Sequence, residues 1–398
     1  MGKISYLRLK GSQNLRLRLL LSTLSSTPIL IEDIRADATW PGMLSHEVSL
    51  LRLLEKVSDD CHVEINETGE VGINLFLGDQ FASKAIGTKL KYKPGIVMGG
   101  RNLVHDCGVL CASPSKIGLY KHTVILEIGH IPFGVDLGIT NDSKDPSVDT
   151  FKSATLPMLK RFGVPPEGLE LKIESRGVPP HGGGEIILSI PVVQDSLKAI
   201  SWIDEGMVKR IRGISFSTRV SVRFERSIID AARGILNRLL PDVYIFTDHR
   251  AGPQAGKSPG YGITLVAETT SGCFMSSDTA ISNALVKEDD VIEDEENKEF
   301  SPPEDVGEQI ASMLLGEIEQ GGVVDSTHQG LLFILCALCS QDVSKVRVGQ
   351  LTPYGIEVLR HIRDFLGVKF VIKPDPSTRT VILKCVGCGL KNLSRKVS

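Results

Sequence analysis

Midway along the chain, Arg176-Gly177-Val178-Pro179-Pro180-His181-Gly182-Gly183-Gly184-Glu185 sets three consecutive glycines between stiff prolines and a charged exit. Residues without a Cβ reach left-handed angles at no steric cost, so their N–H groups can turn toward a ligand. A bend of that kind forms an anion-binding concavity, flanked here by Arg176 and His181. Composition alone also allows a tight strand-to-strand turn. The choice between the two rests on what surrounds the stretch.

Outward from it, Leu169–Glu174 and Glu185–Pro191 read as strands, and Val148–Arg161 reads as a helix before them. The N-terminal segment has a related order. It reads as a strand over residues 3–10, a helix over Leu15–Leu24, a strand over Pro28–Ile34, a helix over Ser45–Lys56 and strands over His62–Asn66 and Val71–Leu77. A strand over Thr123–Ile128 belongs to the second pass. A third begins with helix Gly307–Gln320 and continues through helix Gln329–Ser340, strand Lys345–Gly349, helix Pro353–Leu366 and strands Lys369–Lys373 and Thr380–Val386. Three such passes predict a repeated α/β architecture. Between the second and third lies a block with its own strands (Gly213–Arg223, Gly262–Thr269) and helix (Arg226–Leu240), which reads as an inserted small domain. The organisation expected is residues 1–190 for two units of a large domain, 191–278 for the insert, 279–306 for a connection and 307–398 for the third unit.

The chain has 398 residues, enough for more than one core, and its 45 basic and 48 acidic residues leave a net charge of −3. Any nucleic-acid surface must therefore be local. One stretch qualifies: Lys209, Arg210, Arg212, Arg219, Arg223, Arg226, Arg233 and Arg238 are opposed by Glu225 and Asp230 alone. A phosphate-facing patch and a solvated helix face both fit it. Asp248-His249-Arg250 and Gly256-Lys257-Ser258-Pro259-Gly260 read as mobile loops with charged tips. Lys287–Glu299 carries eight acidic residues and reads as a solvated connection. No apolar run reaches the roughly 18 residues of a membrane span, and the N-terminus lacks a secretory layout. Of the eight cysteines, Cys336/Cys339 and Cys385/Cys388 have CxxC spacing. Zinc is one reading. Cysteine buried as a small hydrophobe is the other, favoured because neither pair sits in knuckle-like turn sequence, and scattered thiols fit a reducing nuclear or cytoplasmic compartment.

The glycine-rich decapeptide resembles a fingerprint of the RNA 3′-terminal phosphate cyclase family, whose eukaryotic cyclase-like branch is similar along nearly the whole chain. Agreeing stretches include Thr140-Asn141-Asp142, Asp145–Asp149, Tyr244–Asp248, Lys257-Ser258-Pro259-Gly260 and Val324-Asp325-Ser326-Thr327. The resemblance implies an α/β (α+β) fold: three βαβαββ repeats forming a large domain, with a small α/β domain inserted before the third repeat. It also implies a chemistry, in which ATP adenylates a histidine on the last helix. Counting back from Phe370, that position is Tyr354, and a phenol with pKa near 10 is a poor nucleophile. His361 on the same helix would need a shift of about seven residues to replace it. In the first glycine loop Gln13 and Arg16 match, but the family's acidic residue is Leu9. Arg35 matches the next motif, while its second arginine falls on Ala38. The usual Asp-Gln pair is His328-Gln329. Gly99-Gly100-Arg101 and 176–184 persist.

An anion-holding set is therefore expected in Gln13, Arg16, Arg35, Arg101, Arg176, His181, Gly182, Gly183, Gly184 and Lys257, with no catalytic histidine, no metal and no cofactor. A guanidinium fork would serve phosphate or an acidic peptide equally. Pairing with Asp33 or Asp106 is the structural alternative for each arginine. From the cyclase-like branch, the resemblance implies a non-catalytic scaffold of small-subunit ribosome biogenesis in the nucleolus. Its implied partners are a ribosome-assembly GTPase, a small nucleolar RNA particle and pre-rRNA. The alternative is a pre-rRNA endonuclease, for which Asp325 and His328 lead candidates that also include His181, Lys257 and Tyr354. A last possibility is residual ATP-dependent RNA-end chemistry.

Overall fold

The structure, a computed structural model, describes residues 5–39, 41–66, 87–97, 101–105, 115–119, 138–143, 145–191, 193, 196–282 and 301–391. The expected strands Val71–Leu77 and Thr123–Ile128, the Gly99-Gly100 pair, Asp106, the acidic run Lys287–Glu299 and the basic end beyond Lys391 lie outside the described residues.

The chain folds as layered α/β. The first sheet uses β1 (Leu7–Lys10), β2 (Ile29–Glu32), β4 (His62–Ile65) and β5 (Leu90–Lys93) in the order β1-β2-β5-β4, with β3 (Ser58–Asp59) pairing β6 (Ile96–Val97) beside it. Helices α1 (Leu15–Ser25) and α2 (Ser45–Val57) cover it. Helix α1 is buried almost all round, so its leucines read as a core helix. The second sheet has the order β7-β8-β10-β9, with β7 (Arg101–His105), β8 (Ser115–Leu119), β9 (Glu170–Ser175) and β10 (Glu185–Ser189). Helix α3, residues 148–161, packs with it and contains a π-helical turn at Phe151–Thr155.

β11 (Ser201–Trp202) pairs in parallel with β16 (Val343–Val348) and opens the last sheet, β11-β16-β18-β17, completed by β17 (Val371–Asp375) and β18 (Thr380–Val386). This sheet has the strand order and directions of the first: one parallel pair, then two antiparallel neighbours. The small domain therefore departs from inside the third unit, after its first strand, and not ahead of it. Its sheet, β13-β12-β14-β15, is built from β12 (Val208–Thr218), β13 (Val243–Arg250), β14 (Gly260–Thr269) and β15 (Phe274–Ser282). Helices α4 (Arg223–Leu236) and α5 (Pro303–Gln320) pack on one face through Ile228, Ala232, Leu236, Val306, Ile310 and Leu314. Helix α5 thus belongs to the small domain's core, where sequence reading starts the third unit with it. Its apolar stripe faces α4, and Gly307 lets the two backbones approach: a Cβ there would collide with the Ile228 carbonyl. The supposed loop at 248–250 is the end of strand β13, because Val243 and Ile245 bury one side of an alternating run.

Helices α6 (Gln329–Leu338) and α7 (Pro353–Leu366) belong to the last sheet, and α1 packs against α7, so the first and third units share one large core. A third, small cluster of Val178, Phe216 and Ala280 lies where the 176–184 loop meets the small sheet.

Two glycines test this packing in opposite directions. A Cβ on Gly177 would collide with the Gly138 carbonyl and lie 2.5 Å from the Gly184 nitrogen. Gly177→Ala should lose about 1–3 kcal/mol or more in urea unfolding. Gly234, in α4 with nothing within 4 Å, should gain about 0.5–1 kcal/mol as Gly234→Ala.

Candidate functional site

The 176–184 loop is glycine-rich because three backbones interlock there. Gly182 N–H donates to the Val178 carbonyl (3.0 Å) and Gly184 N–H to the Gly138 carbonyl (2.5 Å). A Cβ on Gly256 would collide with the Arg176 and Gly182 carbonyls, and one on Gly183 would meet Gly256 Cα at 3.2 Å. The expected anion cradle is corrected on two of its three glycines, whose N–H groups are spent on carbonyls.

Arg176 is corrected as well. It is 1% exposed, with Nη1 and Nη2 bonded to the two Asp149 oxygens (2.7 and 2.9 Å), Nη1 to Asn141 Oδ1 (3.0 Å) and Nε to Asp248 Oδ2 (2.7 Å). Its Cζ lies 4.9 Å from the centre of the Phe216 ring. Burial on its own lowers the guanidinium's pKa, but Asp149 and Asp248 outweigh it and hold the charge, and Asp149 in turn stays ionised. This side chain joins α3 to strand β13 and cannot reach a ligand.

A second constellation draws on all three units of the main body. Arg16, on α1, lies 3.7 Å from Asp145 and within the field of Tyr354 and Glu47. Arg35 bonds both Glu47 oxygens (2.7 and 2.8 Å) and the Gly42 carbonyl, and Glu47 accepts from Leu44 N–H to cap α2. Gln13 is exposed just before α1, and only the backbone of Arg101 is described, at the start of β7. Tyr354 lies in the first turn of α7. Gln329 braces that turn by accepting from Thr352 N–H (3.0 Å) and donating to the Gln350 carbonyl (2.8 Å). Gly330 leaves room for the Tyr354 ring, since a Cβ there would lie 2.7 Å from its Cε1. Tyr354 is exposed, and its phenol, ordinarily titrating near 10 and pushed up by partial desolvation and by Asp145 against the pull of Arg16, is protonated near neutral pH. His361 is 8% exposed on the same helix, tilted on Phe365.

Sequence reading missed His46. This residue of α2 lies in the shared field of Glu47, Arg16, Arg35 and Asp145, and burial, aided by the two arginines, lowers its pKa. Its neutral form is favoured, and it shares Arg16 and Asp145 as neighbours with Tyr354. Its signal was one histidine beside Glu47, which no spacing rule separates from an ordinary helix residue.

Asp325 and His328, the leading endonuclease pair, are each 1% exposed. His328 Nδ1 donates to Asp325 (2.8 and 3.0 Å), its Nε2 bonds Thr155 Oγ1 (2.9 Å), and Asp325 Oδ2 accepts from Ser276 N–H and Oγ (2.8 and 2.7 Å). The pair ties the third unit to α3 and to β15. No RNA strand can reach it, which corrects that assignment.

His181 and Lys257 are exposed and adjacent: His181 N–H donates to Ser258 Oγ (2.9 Å) and Lys257 N–H to the Gly182 carbonyl (2.8 Å). The basic stretch on the small domain is partly neutralised, because Lys209 and Arg210 pair with Glu268 and Arg212 with Asp242. The CxxC pairs meet at the C-terminal end of α6. There Cys336 neighbours Cys385, burial pushes both Cys336 and Cys339 up, the latter to about 12, and Cys339 donates to the Lys198 and Leu335 carbonyls (both 3.1 Å). Among the described residues, no three His, Cys, Asp or Glu side chains converge as a metal site, and no described helix is long and apolar enough to cross a membrane.

The sequence profile of RNA 3′-terminal phosphate cyclase matches residues 7–372. A "Probable RNA 3′-terminal phosphate cyclase-like protein" of Arabidopsis thaliana is 60% identical over 394 residues, covering 98% of this chain and 99% of that protein. The "RNA 3′-terminal phosphate cyclase-like protein" of Homo sapiens is 44% identical, covering 97% and 96%. The "rRNA processing protein rcl1" of Schizosaccharomyces pombe is 37% identical, covering 98% of each.

Both buried ion pairs make measurable predictions. Arg176→Met leaves Asp149 buried without its partner and should cost about 3–5 kcal/mol in urea unfolding, with Asp149→Leu added to it recovering a large part. In the second pair, burial opposes the imidazolium but Asp325 outweighs it, so folded His328 titrates above the free value of 6.5. Asp325 titrates below its free value of 3.8, burial again outweighed, here by His328. The pair's contribution is then complete between about pH 4 and 6.5 and falls as pH rises through the folded His328 value. Urea titrations from pH 5.5 to 8.5 should show that decline, and His328→Gln should flatten it.

Proposed function

This chain belongs to the RNA 3′-terminal phosphate cyclase family, and from that premise we propose that it is a non-catalytic member acting in ribosomal RNA processing. The observation that carries the reading is Tyr354. At the position where the resemblance requires a histidine, the side chain is a phenol kept protonated, while a covalent step on ATP needs an unprotonated nucleophile. The arginines around it answer to Asp145 and Glu47, so the cleft has charge balance without a nucleotide. The similarity to a protein named for rRNA processing supports the cellular assignment.

In finer detail, the reading is a scaffold for the early cleavages that lead to small-subunit rRNA. It would work in the nucleolus with a ribosome-assembly GTPase, a small nucleolar RNA particle and pre-rRNA. The endonuclease reading loses its two leading residues to burial. A second, catalytic reading rests on His46, whose neutral imidazole is favoured and which shares Arg16 and Asp145 with Tyr354.

Incubating the chain with α-labelled ATP and an RNA 3′-phosphate decides the chemistry. No alkali-stable, acid-labile label on the protein and no cyclic end on the RNA are the expected results. Label that appears on the native chain and disappears in His46→Ala would replace the scaffold reading with a catalyst that uses another helix. For the cellular assignment, depletion should accumulate unprocessed small-subunit precursors, and Tyr354→Phe should restore processing fully.

A further inference from the structure

Helices α6 and α7 share a core with Val346, Val348 and Leu383 on one face of the last sheet. Strand alternation sends the residues between these to the other face. There Val343 is 55% exposed, Val371 66% and Val386 53%, Lys373 and Lys384 are exposed, and Lys345 is half-buried. Register makes them neighbours. Val343 lies opposite Val386, and Lys345 lies opposite Lys384, which has Val371 on its other side. Lys373 is opposite Ile382, one diagonal step from Lys384. With strands about 4.8 Å apart, three lysines and three valines form one patch across β16, β18 and β17.

Like charges directly opposite in an antiparallel pair destabilise it. The first sheet, with the same strand order, shows the balanced arrangement. Its corresponding row is Leu30, Lys91 and Glu64, and Glu64 accepts from Lys91 Nζ (2.7 Å). In the last sheet that row reads Lys345, Lys384 and Val371, so a second cation stands where the first sheet has leucine and a valine where it has the carboxylate. Among the described residues no acidic side chain bonds Lys345, Lys373 or Lys384. Asp375, on the same face, is spent on Arg347 and Ser377, and Asp342, just before β16, accepts from Val343 N–H.

Cations set among aliphatic side chains suit a partner that offers carboxylates and apolar groups together. Single-stranded RNA supplies negative charge but stacks its bases on aromatic rings, and no aromatic residue stands at these positions. We propose that the outer face of the last sheet docks an acidic, apolar segment of a partner protein. Its carboxylates would meet Lys345, Lys373 and Lys384, and its aliphatic side chains would cover Val343, Val371 and Val386. Docking there requires neither the Tyr354 cleft nor the rRNA-processing reading.

Fluorescence anisotropy on the full chain tests it, with a labelled peptide that intersperses leucine with glutamate, with poly-glutamate and with a single-stranded RNA. The informative variant is K384E. A carboxylate opposite Lys345 turns a repulsive pair into an attractive one, so thermal melting should show this variant at least as stable as the native chain. It should nevertheless bind the mixed peptide at least about tenfold more weakly, since a like charge then faces the peptide. V371S should weaken the mixed peptide and leave poly-glutamate unchanged. K91A, from the balanced row of the first sheet, should bind as the native chain does. Native affinity in K384E would overturn the site, and so would an equal loss in K91A, since charge anywhere would then suffice. RNA binding that K384E abolishes, without binding of the mixed peptide, would reassign the face to nucleic acid. Absence of mixed-peptide binding by the native chain would overturn the docking surface and leave the functional reading untouched.

Discussion

Arg176 carries a full charge in the interior, and that charge dictates much of what surrounds it. An isolated ion cannot stay in a low-dielectric interior, so its donors must be met by geometry that leaves little freedom. Asp149 meets two of the N–H groups in a fork, Asn141 a third, and Asp248 the Nε–H from the other domain. Asn141 also donates to Asp149 (3.0 Å), which places residues 138–141 against the loop. Close approach of three backbone segments then leaves no room for side chains at Gly138, Gly177, Gly184 and Gly256. The glycines follow from the ion pair's position, not from a ligand's.

The docking of the small domain obeys the same logic. Asp278 on β15 accepts from Ser147 N–H and Thr150 Oγ1 (both 2.6 Å), Thr264 bonds Ser147, and Ser276 bonds Asp325. The apolar contribution is the small cluster of Val178, Phe216 and Ala280. Hydrogen bonds are directional while apolar contact is not, so this junction fixes orientation as well as proximity.

Much of this was legible in the chain. Helix α7 and strand β18 were read with their observed ends because each has strong punctuation: Thr352-Pro353 opens the helix, Gly367 closes it, and Thr380–Val386 is β-branched and apolar. Strands β11, β13 and β15 were missed. The first has two residues, and the other two mix Ser, Thr, Asp and His into runs whose partners are far along the chain. Membership of α5 was misjudged for the same reason, because its amphipathic stripe says that it packs and not on what. Site residues fared worst where charge was concerned. A sequence shows that Arg176, Arg16 and Arg35 exist, but whether each faces solvent or a carboxylate is a tertiary fact, decided by Asp149, Asp145 and Glu47 at separations of 27, 129 and 12 residues.

The pairing of these arginines bears on what a phosphate would gain by binding among them. Guanidinium groups in a cleft repel one another and lose hydration, and a bound polyphosphate offsets both costs in a working enzyme. Where no nucleotide is bound, internal carboxylates have to supply the offset, and Asp145 and Glu47 stand where they do so for Arg16 and Arg35. A newly arriving anion must then displace a carboxylate at little net gain, because one anion replaces another at the same donors.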